Sequence, residues 1–74
     1  MWYYQSAAGL LRIVRDSHGI CQFRFGEDDT EWTGHVDPRS VADDVFNHAT
    51  GCLEWDSSKV DTPQDLSEWI YEPD

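Results

Sequence analysis

Two segments in the first half of the chain alternate between apolar and polar positions. In "LLRIVRDS" Leu11 and Ile13 share one side, and in "ICQFRFGED" Cys21, Phe23 and Phe25 do the same. Successive side chains of a strand point to opposite faces of a sheet, so this period of two predicts β-structure. With the turn signal "SHG" between them, the segments predict an antiparallel hairpin that has one buried and one solvated face.

The segments on both sides of this hairpin also favour β-structure, and we interpret the second of them as the third strand of a meander. The aromatic segment "MWYYQS" is typical of a first strand or a strand end, and "AAG" can turn the chain after it. In "EWTGHVD" Trp32 and Val36 are in phase, whereas Thr33 and His35 are out of phase, as expected for a strand that follows the turn "GEDDT". The sequence therefore predicts an antiparallel meander of about three strands.

The middle of the chain changes to a helical period. Asp37 is a suitable N-cap, Pro38 fits the first helical position, and Gly51 is a natural stop, so a helix is predicted over residues 38–50. One apolar stripe is expected to pack on the sheet and comprises Val41, Ala42, Val45, Phe46 and Ala49.

The C-terminal third gives weaker signals. "CLEWDSSKV" fits a short edge strand or an extended loop, and "DTPQDLSEW" fits a capped helical turn with Asp61 or Thr62 as the cap. Leu66 and Trp69 are three residues apart, so both can face the core. The predicted fold is a single α+β domain over residues 1–74: a small antiparallel β-meander, one amphipathic helix packed on one face, and a short C-terminal helical turn.

Charge restricts the range of partners. The chain has 15 acidic and five basic side chains, a net charge of −10, and residues 40–74 hold nine of the acids against the single base Lys59. Phosphate contacts and anionic membrane surfaces require Lys and Arg, so direct nucleic-acid and membrane binding are disfavoured. Self-repulsion favours a monomer or a weak dimer. With 14% aromatic residues the chain is nevertheless expected to fold.

The two cysteines, Cys21 and Cys52, are expected to be reduced. No apolar run approaches the roughly 20 residues of a membrane span, and the N-terminus lacks the pattern of a signal peptide. We therefore expect a cytoplasmic protein, in which free thiols are the rule.

His18, Cys21, His48 and Cys52 form the sharpest candidate for a metal site. Two imidazoles and two thiolates suit tetrahedral zinc, although the usual Cys-x-x-Cys half-site is missing. The simpler interpretation is that both thiols pack in the core and both histidines are solvated. A nucleophilic Cys52 is disfavoured because the surrounding carboxylates would raise the pKa of a thiol.

Arg12 and Arg24 are predicted to lie on the same outward face of the sheet. Such a pair can grip a carboxylate or phosphate of a ligand, or it can balance acids from the tail of the same chain.

The main functional hypothesis rests on acidic and aromatic residues in the predicted helix and just after it. Asp43 and Asp44 point about 100° apart on a helix, so they do not converge as a catalytic pair, and no cofactor loop is present. Trp and Tyr beside acids are typical of protein interfaces, although Trp55 could equally return to the core. The predicted interaction residues are Asp43, Asp44, Glu54, Trp55 and Asp56.

From these residues we expect a non-enzymatic, cofactor-free domain that binds a basic protein surface. Its sharper form is an inhibitor of phage or mobile-element type that mimics nucleic-acid charge, because spaced carboxylates can occupy a phosphate-binding channel. The alternative is a small-ligand or metal-binding module that uses the arginine pair or the His/Cys set.

The segments "VADDVFNHATGCLEWD" and "DTPQDLSEW" together resemble a group of small bacterial proteins. Members of that group combine a short meander, a helix with an Ala-Asp-Asp core and a Pro-x-Asp-Leu-Ser-Glu-Trp ending. The resemblance covers about residues 36–70 and implies a small cytoplasmic domain. It implies no activity or site.

Overall fold

The computed structural model describes residues 1–73. Its elements follow the predicted order, with the addition of a second short helix and a C-terminal strand. The strands are β1 Trp2–Ser6, β2 Gly9–Arg15, β3 Cys21–Phe25, β4 Trp32–His35 and β5 Ile70–Tyr71. The helices are α1 Pro38–Phe46 and α2 Leu53–Asp56, followed by a 3₁₀ helix at Leu66–Glu68. The strands form one antiparallel sheet of order β4-β3-β2-β1-β5. The α+β class is confirmed, but the predicted number of about three strands is too low.

The two faces of the β2–β3 hairpin are as predicted. Leu11, Ile13, Cys21 and Phe23 are fully buried beneath the helix, whereas the residues between them are half-buried on the other face. Phe25 packs against the edge of the same core. The alternation therefore identified which side of the sheet is covered.

Strand β5 is an addition that the sequence did not signal. It pairs with β1 through Trp2–Tyr71 and Tyr3–Ile70. The Glu72 amide also donates to the Met1 carbonyl at 2.8 Å, and the N-terminal ammonium of Met1 donates to the Glu72 carbonyl at 2.9 Å. A strand of two residues has no measurable period, so hydrophobic patterning cannot reveal it.

Helix α1 begins where predicted and ends earlier. The Asp37 side chain accepts a hydrogen bond of 2.9 Å from the Arg39 amide, and Pro38 occupies the first turn. The helix stops at Phe46 rather than residue 50, so the prediction of residues 47–50 as helical is wrong. Val41, Ala42 and Val45 are buried against β2, β3 and β4. Phe46 was expected in the core, but 43% of its surface is exposed.

The early end of α1 is produced by His48 and not by Gly51. His48 adopts the left-handed conformation with φ of 53°, and its amide bonds to the Val45 carbonyl at 3.1 Å. The Ala49 amide bonds to the Asp44 carbonyl at 2.9 Å. These two bonds define a Schellman motif, which satisfies the last carbonyls of the helix.

Residues 52–60 form neither of the predicted alternatives. They contain the short helix α2, which turns the Trp55 side chain into the core with no exposed surface. Its indole ring lies 6.5 Å from the ring of Phe23 and 6.3 Å from that of Phe25, measured between centroids. Trp55 therefore closes one side of the core.

The predicted C-terminal turn is present as the 3₁₀ helix. Its cap is Asp65, which accepts from the Ser67 amide at 2.9 Å, and not Asp61 or Thr62. Trp69 is buried and Leu66 packs against the core, as expected. Within residues 1–73, no helix combines the length and apolarity needed to cross a bilayer.

Candidate functional site

The predicted interaction residues do not form one surface. Trp55 is enclosed in the core, and its indole nitrogen donates a hydrogen bond of 2.9 Å to the Val45 carbonyl. The imidazole of His48 stacks on the same indole, with ring centroids 4.7 Å apart. A side chain held in this way is not available to a partner while the protein is folded. Trp55 therefore has a structural role and not the contact role that was predicted for it.

Asp44 and Asp56 are engaged inside the chain. Asp44 accepts hydrogen bonds from the Thr33 hydroxyl at 2.5 Å and contacts the Nε2 atom of His35 at 2.7 Å. Asp56 accepts from the Thr50 amide and hydroxyl and from the Gly51 amide, all at 2.8–3.0 Å. Their oxygens are therefore occupied in holding α1 to β4 and in shaping the loop before α2.

A bulge in β4 brings the partners of Asp44 together. Trp32 pairs with Phe23 and His35 pairs with Cys21, so two inward-facing positions lie three residues apart and the register shifts between them. Thr33 lies within this shift at φ of 44°, an unusual conformation for a β-branched residue. The bulge turns both Thr33 and His35 towards the helix.

Asp43 and Glu54 are the predicted interaction residues that remain exposed. Within residues 1–73, neither forms an ion pair with a basic side chain. Their carboxylates are therefore available to solvent or to a partner.

The His/Cys set does not assemble. Cys21 and Cys52 are free thiols buried in the core, His18 is exposed in the β2–β3 turn, and His48 is stacked on Trp55. In the described part of the chain, no group of three or more His, Cys, Asp or Glu side chains is arranged to hold a metal ion.

The arginine pair lies where the sequence predicted it. Arg12 and Arg24 are direct cross-strand partners on the outward face. The Asp29 carboxylate lies 3.5 Å from Arg12 and 3.6 Å from Arg24, and Glu31 lies 3.3 Å from Arg24. The acids that balance the pair belong to the β3–β4 turn rather than to the tail, and their carboxylates are solvent-exposed, which limits what these ion pairs contribute to stability.

A groove lies near the two chain termini. It has a volume of about 590 Å³ and lies between α1, the 3₁₀ helix and the β1–β5 pair. Four apolar side chains line it: Trp2, Leu66, Trp69 and Tyr71. We call this feature the terminal groove. Its volume is within the range of roughly 300–1,000 Å³ that is usual for ligand sites.

Charged groups border the terminal groove. Asp43 of α1 and Asp65 of the 3₁₀ helix contribute carboxylates, and Arg39 contributes a guanidinium. Hydrogen bonds from the hydroxyl and the amide of Ser67 fix the Asp65 side chain and hold its pKa below its usual value. This carboxylate therefore stays ionised and in one position at neutral pH.

The aromatic wall of the terminal groove is already in contact with a cation. Trp2 and Tyr71 lie with ring centroids 5.0 Å apart and an interplanar angle of 48°. The guanidinium carbon of Arg15 lies 5.7 Å from the centroid of the Trp2 ring, which is cation–π distance.

A second, more polar groove also borders the 3₁₀ helix. It has a volume of about 560 Å³ and combines the rings of Tyr4 and Phe46 with the carboxylates of Asp61 and Glu68. The exposed ring of Phe46 thus lies beside acidic groups, as the rings of the terminal groove do.

Of the residues that line the terminal groove, the sequence identified only Asp43 as a candidate site residue. Leu66 and Trp69 were identified only as tail anchors, and Trp2 and Tyr71 only as aromatics too numerous for a small core. The available signal was the presence of aromatic residues at both ends of the chain. Their proximity depends on the β1–β5 pairing, which has no signature in the sequence.

No protein-family model, curated protein or solved structure matches this chain.

Proposed function

We propose that this chain is an acidic, non-enzymatic binding domain that recognises a basic protein surface through the face formed by α1, the 3₁₀ helix and β5. The observation that carries the proposal is the terminal groove, which joins aromatic rings to carboxylates on one face. Aromatic anchors within a charged rim are typical of protein interfaces.

The distribution of charge on this face supports a basic partner. Its elements carry three exposed carboxylates without an ion-pair partner in residues 1–73, those of Asp43, Asp65 and Glu68, against the one basic side chain Arg39. An excess of one sign of charge on a face attracts a partner of the opposite sign and accelerates encounter.

The test uses a partner captured from the cells that make this protein and then purified. Association and dissociation rates are measured at low and high salt for the wild type and for an Asp43→Asn/Asp65→Asn double variant. The control is Glu27→Gln, which removes one exposed charge from the β3–β4 turn and lines neither groove, so the effects are compared per charge removed.

We expect the double variant to slow association about threefold or more, because exposed charges steer the encounter of the two proteins. Glu27→Gln should have a weaker effect. An acidic partner, binding that is indifferent to salt, or equal effects of the double variant and the control would contradict the proposal and favour a small ligand instead.

Mimicry of nucleic acid is the sharper form of this proposal. In that case the partner itself binds DNA or RNA, and this chain competes for the same surface. A labelled duplex bound to the partner should be released in proportion to added protein, and the Asp43→Asn/Asp65→Asn variant should release less. Simultaneous binding of duplex and protein would reject mimicry while leaving the basic-surface proposal intact.

A further inference from the structure

The terminal groove contains two kinds of group that attract an organic cation. The faces of indole and phenol rings carry negative electrostatic potential, and Trp2 and Tyr71 supply two such rings, while the largely buried Trp69 also lines the groove. The carboxylates of Asp43 and Asp65 add full negative charges beside them. An apolar ligand would make use of the rings only, whereas a cation makes use of both.

The chain itself shows which cation suits this wall. Arg15 extends from the end of β2 over Trp2, with its guanidinium carbon 5.7 Å from the ring centroid. A planar guanidinium stacks on aromatic rings and also bonds to a carboxylate with two parallel hydrogen bonds. A lysine ammonium does neither as well, because it is a compact and strongly hydrated point charge.

We propose that the terminal groove receives a single arginine side chain of the basic partner, stacked against the aromatic wall and paired with Asp43 or Asp65. This inference rests on the proposed function and narrows it, because it replaces a general attraction between charged surfaces by one pocket for one side-chain type.

Arg39 has a specific role in this arrangement. It lies four residues before Asp43 on α1 and borders the groove, and it forms no ion pair with a carboxylate within residues 1–73. Side chains four apart on a helix are neighbours. Its positive charge therefore opposes an incoming guanidinium, and its removal should strengthen binding. A groove that holds an anion would show the opposite, because Arg39 would then be the main attraction.

The probe is an acetylated and amidated pentapeptide with one arginine among glycines, compared with versions that carry citrulline or lysine. Citrulline has the shape of arginine without the charge. Binding is followed by NMR on the four indole N–H signals of the full chain. Trp2 and Trp69 line the groove, whereas Trp32 and Trp55 do not and serve as internal controls.

We expect the arginine peptide to move the signals of Trp2 and Trp69 selectively and to bind about fivefold or more tightly than the citrulline peptide. The lysine peptide should bind more weakly than the arginine peptide. Equal affinity for arginine and citrulline, a preference for lysine, or no selective shift at tens of millimolar peptide would overturn the proposal.

Three variants complete the test, each checked for an unchanged fold by the dispersion of its NMR spectrum. Asp43→Asn and Asp65→Asn should weaken binding of the arginine peptide, and Asn retains the capping ability of Asp at position 65. Arg39→Gln should tighten it about twofold or more. Weaker binding by Arg39→Gln would overturn the arginine pocket and identify an anion site.

The failures of the two proposals are distinguishable. If the purified partner binds with the expected dependence on salt and on Asp43 and Asp65, but the arginine peptide shows no selectivity, the pocket is rejected and the basic-surface function stands. If the partner is acidic or its binding ignores salt, the proposed function itself is rejected.

Discussion

At the scale of single residues, Trp55 connects several parts of the structure. It is fully buried, it donates to the carbonyl of Val45 at the end of α1, and it supports the ring of His48. The His48 Nδ1 atom lies 3.0 Å from the carbonyl oxygen of Trp55, so a polar contact joins the two residues in addition to the stacking of their rings. One side chain thus holds α2 against α1 and the sheet.

Replacement of Trp55 is therefore expected to act on stability. Trp55→Ala should lower the free energy of unfolding by about 3–5 kcal/mol, the usual cost of removing a large buried aromatic. Since small domains have total stabilities of roughly 5 kcal/mol, much of the variant should be unfolded. Urea denaturation measures the loss, and Trp55→Phe should retain part of the stability. An unchanged midpoint for Trp55→Ala would contradict the buried position.

Asp43 and Asp44 are adjacent but have different surroundings. Asp43→Ala should change stability by no more than about 0.5 kcal/mol, as is usual for an exposed site. Asp44→Ala removes the hydrogen-bond partner of Thr33 and His35 and should cost about 1–2 kcal/mol. Thermal or urea unfolding of the two variants gives the comparison directly. Equal effects would mean that the Thr33–His35–Asp44 contacts contribute nothing.

The difference between these two aspartates could not be predicted from the sequence. Both lie off the apolar stripe, which was sufficient to exclude them from the core. The bulge at Thr33, which turns two β4 side chains towards Asp44, arises from the pairing register of β3 and β4. Register is a property of the assembled sheet, and no local pattern in "EWTGHVD" specifies a bulge.

At the scale of elements, the end of α1 is the clearest departure from the helical pattern. Ala49 continues the stripe, and Gly51 is the conventional stop signal. The chain nevertheless leaves the helix at His48, because stacking on Trp55 and the hydrogen bond between them hold a residue that seldom adopts positive φ. A tertiary contact formed by a residue seven positions later has overridden the local preference.

Two substitutions at position 48 test this ending. His48→Ala and His48→Gly lose the same ring contacts, but only glycine adopts positive φ without strain. We expect the glycine variant to be more stable by about 1 kcal/mol. If the helix ran on to residue 50, alanine would be the more stable by a similar amount. The sign of the difference in urea midpoint therefore decides where the helix ends.

The C-terminal elements are expected to be structural. Pro63 and Trp69 are buried, Leu66 packs on the core, and β5 pairs with β1. Truncation after Val60 should remove several kcal/mol, since each large apolar side chain contributes roughly 2–5 kcal/mol. Circular dichroism should then show largely unfolded material. A folded truncated protein would show that residues 61–71 are dispensable.

At the scale of the whole molecule, the outward and inward faces of the hairpin and the capped start of α1 were predictable because each depends on a local period or cap. The terminal groove was not, because it is assembled from both ends of the chain. Trp2 and Tyr71 are far apart in sequence and meet only through the β1–β5 register. Composition indicated more aromatic residues than a small core can bury, but the strand order determines where the remaining ones lie on the surface.

Charge also acts at this scale, through three aspartates that stabilise turns and caps. The pKa of Asp16 is lowered chiefly by the Ile20 amide, that of Asp28 by the Thr30 amide and that of Asp65 by the Ser67 hydroxyl. In the unfolded chain these carboxyls return to their usual pKa of 3.8. The unfolded chain therefore binds protons first as the pH falls.

The resulting stability is present above a pH of about 4 and is lost as the pH falls through the lower pKa values of the folded state. We expect the free energy of unfolding, measured by urea titration, to decrease as the pH falls below about 4. A triple variant, Asp16→Asn/Asp28→Asn/Asp65→Asn, keeps an acceptor oxygen at each site but removes the titration. Its stability should decline less over the same range, and an equally steep decline would assign acid sensitivity to other groups.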